Sequence, residues 1–90
     1  MSDIFRDYSF GEWISHKRLE KGMKLRDFAK KLGMNAGNVS RMERDKTAPP
    51  RKYQKIDEIC EALGSPDMAP LLKSIAFQHH LSKLQEEFSG

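Results

Sequence analysis

Ninety residues leave room for one small domain, and a lone cysteine, Cys60, excludes an intramolecular disulfide and a zinc site built from paired cysteines. No segment approaches the roughly 18 apolar residues of a membrane span, and the start, MSDIFRDYSF, lacks the basic-then-apolar pattern of a leader peptide. Sixteen Lys and Arg against 13 Asp and Glu give a formal charge of +3, too small by itself to name a partner.

The distribution of charge says more. Residues 1–23 are balanced, residues 24–55 hold ten basic and three acidic side chains, and residues 56–90 hold two and six. A basic centre beside an acidic C-terminal third is the asymmetry of a molecule with one phosphate-facing surface. A merely solvated charged face has the same count. The lone cysteine and the missing leader make a reducing cytoplasm the expected location.

Ser9 and Glu12 have the spacing of a capping box, with Tyr8 and Trp13 placed to clasp it from either side. A first helix is expected over residues 10–21, stopped by Gly22 and followed by an apolar contact from Met23. Its apolar stripe is Phe10, Trp13, Ile14 and Leu19. Leu25, Phe28, Ala29 and Leu32 recur at i, i+3, i+4 and i+7, the inward face of a two-turn helix whose Arg26, Lys30 and Lys31 point out. Gly33 supplies a left-handed turn. Asn35 then caps a third helix over residues 36–44, with Val39 and Met42 inward, and Asp45 is one of the few side chains that tolerates a left-handed end.

Ala48-Pro49-Pro50 breaks the helical pattern. A fourth helix is expected over residues 51–63, buried through Tyr53, Ile56, Ile59, Cys60 and Leu63, and closed by Gly64. Cys60 on this apolar face reads as a small core residue rather than a nucleophile. The last helix is expected from about residue 67, with Pro70 in its first turn, toward residue 88. With no strand signal and no repeat, the class is all-α with five helices. A short turn between the second and third helices lets one brace the other against the major groove of DNA.

The residues that carry this pattern are Arg18-Leu19-Glu20-Lys21-Gly22, Asp27-Phe28-Ala29 with Leu32-Gly33, and Val39-Ser40-Arg41-Met42-Glu43-Arg44 with Lys46 and Pro49. Through them residues 10–64 resemble the Cro/C1-type helix-turn-helix domain of phage repressors and related regulators, the XRE family. The resemblance implies a five-helix, lambda-repressor-like fold that binds DNA. It implies base reading by Ala36, Gly37, Asn38 and Arg41: Arg41 to guanine, Asn38 to adenine or a phosphate, Ala36 to a thymine methyl. Gly37 costs its helix up to about 1 kcal/mol relative to alanine, a cost suited to close approach by DNA or another helix. Phosphate contacts fall to Lys24, the amide of Leu25, Arg44, Lys46, Thr47 and Arg51. Lys24 departs from the family, which commonly caps this helix with Ser, Thr or Asn. Arg18 and Glu43 occupy the places of a partly buried structural ion pair.

Beyond this domain, Met68, Leu71, Leu72 and Ile75 share one side of the last helix, and Phe77, Leu81, Leu84 and Phe88 lie nearly opposite at coiled-coil spacing. The first set is expected to dock on the first and fourth helices and the second to form a dimer interface. The chain thus divides into an arm, residues 1–9, the helix-turn-helix domain, residues 10–65, and a dimerising helix, residues 66–90. His79 and His80 are adjacent, which points them to different faces, and His16 is remote, so no metal or other cofactor is expected.

These observations lead to a transcriptional regulator, a repressor acting as a homodimer on a palindromic operator in double-stranded DNA. One alternative is an antitoxin whose tail from Phe77 holds a toxin while the domain autoregulates; another is a protein-interaction module. An enzyme is not expected, since nothing assembles a nucleophile, a base and an oxyanion site.

Overall fold

In the computed structural model, which describes residues 8–89 and their side chains as far as Glu87, α1 spans Phe10–Glu20. Both arms of the capping box form: the Ser9 hydroxyl accepts from the Glu12 amide at 3.1 Å, and the Glu12 carboxylate accepts from the Ser9 amide at 2.9 Å. Tyr8 meets Trp13 edge-on at 5.1 Å across the cap. Gly22, at φ 68°, ends the helix and returns Met23 to the core.

α2 spans Leu25–Leu32 and α3 spans Ala36–Glu43, joined through Gly33 at φ 67°. Asn35 caps α3 by accepting from the Asn38 amide at 2.9 Å. Asp45 leaves α3 at φ 59°. α4 spans Tyr53–Ala62, a 3-10 turn covers Pro66–Met68, and α5 spans Ala69–Ser89. The described residues thus hold five α-helices, one short 3-10 turn and no strand, and none of the helices is long and apolar enough to cross a membrane.

Ile14, Phe28, Val39, Ile56, Ile59, Leu63 and Leu72 form the fully buried centre. Each such side chain contributes about 1.5 to 3 kcal/mol by leaving water. α3 packs against α1 and α2, α4 lies under α2, and α5 covers α4 and part of α1. This order leaves the front of α2 and α3 on the surface.

Several boundaries differ from expectation. Arg51 and Lys52 stay in the linker because Lys52 is extended at φ −85° and ψ 122°, so α4 starts at Tyr53. Met68 belongs to the 3-10 turn, its amide bonded to the Ser65 carbonyl at 3.0 Å, so α5 starts at Ala69 and Pro70 is its second residue. No intrahelical bond is lost there, because first-turn amides have no partner in the helix.

Three apolar residues leave the core. Leu19 is 65% exposed; the inward position one turn after Ile14 is occupied by Arg18, and Leu19 lies a further 100° round. Tyr53 is 47% exposed on the first turn of α4, with the Lys73 ammonium 5.7 Å from its ring centre. Leu71 is also exposed, since Ala69, Leu72 and Ala76 hold the buried stripe of α5.

Candidate nucleic-acid interface

α3 turns two very different faces to its surroundings. Val39, Met42 and Glu43 are buried, whereas Gly37, Asn38 and Arg41 are exposed and Ala36 is half-buried. Arg41 Nη1 donates to Asn38 Oδ1 at 2.7 Å across one turn. The pair therefore presents a guanidinium whose direction is set by its neighbour and whose remaining donors face outward. Gly37 has no other helix near it among the described residues: a Cβ there would meet only Asn35 Oδ1, at 3.3 Å.

The first turns of α2 and α3 open onto one groove, of about 490 Å³, lined by Lys24, Leu25, Arg26, Asp27 and Ala36. α3 is capped by its own Asn35 side chain, but Lys24 makes no side-chain cap on α2. The leading amides of α2 are thereby available to an anion, with the helix dipole favouring negative charge and Lys24 beside them. Arg44, Lys46 and Thr47 are exposed where the chain leaves α3. Arg44 Nε lies 3.5 Å from the Ser40 carbonyl, at the limit of a hydrogen bond.

Arg51 sits elsewhere. It lines a groove of about 220 Å³ along α5 together with Phe77, His80, Leu81 and Leu84. Arg51 is thus gathered with the apolar face of α5 rather than with the groove between α2 and α3. On that face Phe77 is 51% and Leu84 is 48% exposed, and Leu81 is half-buried. The Phe88 side chain lies outside those described.

The back of α3 is fastened to α1 at two points. Arg18 Nε and Nη2 donate to the two Glu43 carboxylate oxygens at 2.7 and 3.0 Å, and Arg18 Nη1 donates to the Met23 carbonyl at 2.9 Å. The side chains retain 12% and 7% of their exposure, so the charges are largely removed from water and held by bidentate geometry. At the second point Asp45 Oδ1 accepts from the Gly11 amide at 3.0 Å, and Asp45 Oδ2 accepts from the Ser9 hydroxyl.

Two contributors escape a reading of the sequence. In the sequence Asp45 shows only a tolerance for left-handed backbone, yet its carboxylate also caps α1, 34 positions away. In the sequence His80 stands out only as a poorly placed metal ligand, yet its Nε2 is bonded to the Pro49 carbonyl at 2.9 Å. Both bonds join residues remote in sequence, and no local spacing signals them. Cys60 is fully buried, and burial, with Asp57 adding to it, pushes its thiol up from 9.0 to about 11, which leaves it an inert core residue.

A family model described as helix-turn-helix matches residues 14–67, from the middle of α1 into the 3-10 turn. No curated protein and no solved structure matches the chain.

Proposed function

The chain belongs to the Cro/C1-type helix-turn-helix family of DNA-binding regulators, and on that premise we propose that it is a repressor which binds a palindromic operator as a homodimer. The observation that carries this reading is the front of α3. There Arg41 and Asn38 stand exposed and bonded to each other, on a helix anchored from behind by Arg18 and Asp45. A reading helix has to present donors outward while its own position is fixed.

In this reading Arg41 makes a bidentate pair with guanine, and Asn38 orients it and reaches an adjoining base or phosphate. Ala36 touches a thymine methyl, and Gly37 lets the DNA backbone approach α3 closely. Lys24, the Leu25 amide, Arg44, Lys46, Thr47 and Arg51 grip phosphates and set the register without reading sequence. Phe77, Leu81, Leu84 and Phe88 pair with a second copy of α5 through a two-fold axis. The exposure of Phe77 and Leu84, seven residues apart on one face of α5, supports this, because large apolar side chains grouped on one helix face call for a partner. Two recognition helices about 34 Å apart then read the halves of a palindrome across one turn of DNA. Repression follows from occupying a promoter, with no catalytic step and no cofactor, in the cytoplasm where the DNA is.

Selection of bound sequences from random duplex DNA tests the reading. The wild type is expected to enrich a symmetric site, and Arg41→Ala to relax one position in each half-site, losing about 1 to 3 kcal/mol of discrimination there. If nothing is enriched, the fold serves protein interaction instead; if specificity survives Arg41→Ala unchanged, the reading residue lies elsewhere.

A further inference from the structure

The linker between α3 and α4 carries four of the proposed phosphate-binding side chains, Arg44, Lys46, Thr47 and Arg51, and beyond the Lys46 amide its backbone is sparsely held. The Lys46 amide bonds to the Arg41 carbonyl at 2.8 Å, and the Lys52 carbonyl accepts from the Lys55 amide at 3.1 Å. Between these two points the backbone makes one hydrogen bond among the described residues, from His80 Nε2 to the Pro49 carbonyl at 2.9 Å. Prolines at positions 49 and 50 have no amide hydrogen with which to make others. Pro49 is buried, and grooves open on either side of the contact. One is lined by Arg51, Phe77, Leu81 and Leu84, the other by Phe10, Asp45, Ile75 and Gln78.

We infer that His80 is a positioning residue for DNA binding: its bond to Pro49 pins the linker to α5 and thereby holds Lys46, Thr47 and Arg51 at the phosphates. A carbonyl only accepts, so Nε2 carries the proton, and the bond forms with either the matching neutral tautomer or the imidazolium. Without the bond the linker gains freedom, and a phosphate contact worth less than the entropy of ordering the linker is no longer made. The same helix bears the apolar face proposed to dimerise, which makes α5 a bridge between pairing and backbone grip.

The inference rests on the phosphate contacts proposed above, and its test separates the two. His80→Met keeps length and apolar bulk but removes the donor, whereas His80→Gln keeps a donor. Binding of each full-length chain to mixed-sequence duplex DNA is measured as a function of salt, because phosphate contacts dominate that binding and set its salt slope. His80→Met is expected to bind on the order of 3- to 10-fold more weakly, the worth of one net hydrogen bond. Its slope of log affinity against log salt should be shallower by about one for each displaced cation, and His80→Gln should stay near the wild type in both.

A purely structural loss would lower the active fraction and the melting temperature without changing the slope. Unchanged slope in His80→Met, or equal behaviour of the Met and Gln variants, overturns the inference. A wild type whose affinity does not fall with salt overturns the phosphate contacts themselves.

Discussion

Removing the Arg18 side chain would leave the Glu43 carboxylate, 7% exposed, without its cation or its two charge-assisted hydrogen bonds. Stranding one partner of a largely buried pair costs about 3 to 5 kcal/mol, so Arg18→Ala is expected to lower stability by that order, measured by denaturant titration. Its effect on DNA should follow from the folded fraction. Normal stability with lost DNA binding would place Arg18 at the DNA instead. Arg41 is the opposite case: exposed, bonded only to Asn38 among the described residues, and free of any core contact, it is a side chain whose removal should cost recognition and little stability. Burial and partner geometry separate these two arginines; their identities in the sequence do not.

At the scale of elements, α1 and α3 meet with almost no tolerance. A Cβ on Gly11 would run into the Met42 carbonyl and lie 2.7 Å from the Glu43 carbonyl and 2.8 Å from Asp45 Oδ1. Backbone cannot yield there as a flexible side chain would, so the start of α1 rests directly on the end of α3. Gly11→Ala is therefore expected to destabilise the fold by about 1 to 3 kcal/mol, read from the shift of the unfolding midpoint. An unchanged midpoint would mean that the close approach is not maintained in solution. The caps at Ser9 and Asn35 follow from local spacing and are legible in the sequence. The Gly11 contact is not, because a glycine in a helix pattern reads first as a propensity cost.

For the whole molecule the decisive surface is the outer face of α5. Cutting the chain after Ile75 would also delete Ala76, which is fully buried, so substitutions test pairing more cleanly than truncation. The double substitution Phe77→Glu with Leu84→Glu changes exposed positions and should leave the fold intact. It is expected to convert a sedimenting dimer to a monomer and to weaken operator binding well beyond any effect on one half-site, since the second half-site then gains nothing from linkage to the first. A wild type that sediments as a monomer at working concentration would overturn the dimer.

The sequence by itself determined the all-α class, the turn glycines at 22, 33 and 64, the caps at Ser9 and Asn35, and the stripes through Phe28, Val39 and Ile56. All of these are local, set by helix period and turn chemistry within a few residues. The helix-turn-helix family was legible for the same reason, since its signature is a set of side chains at fixed short spacings. Only the tertiary structure decided which apolar residues stay outside, because Leu19, Tyr53 and Leu71 fit the helical period as expected but face away from the neighbours that pack. It also decided the long-range ties from Asp45 to Gly11 and from His80 to Pro49, and it put Arg51 beside α5. Those contacts depend on how five helices stack, and a bond between residues 31 or 34 positions apart leaves no periodic trace in either segment.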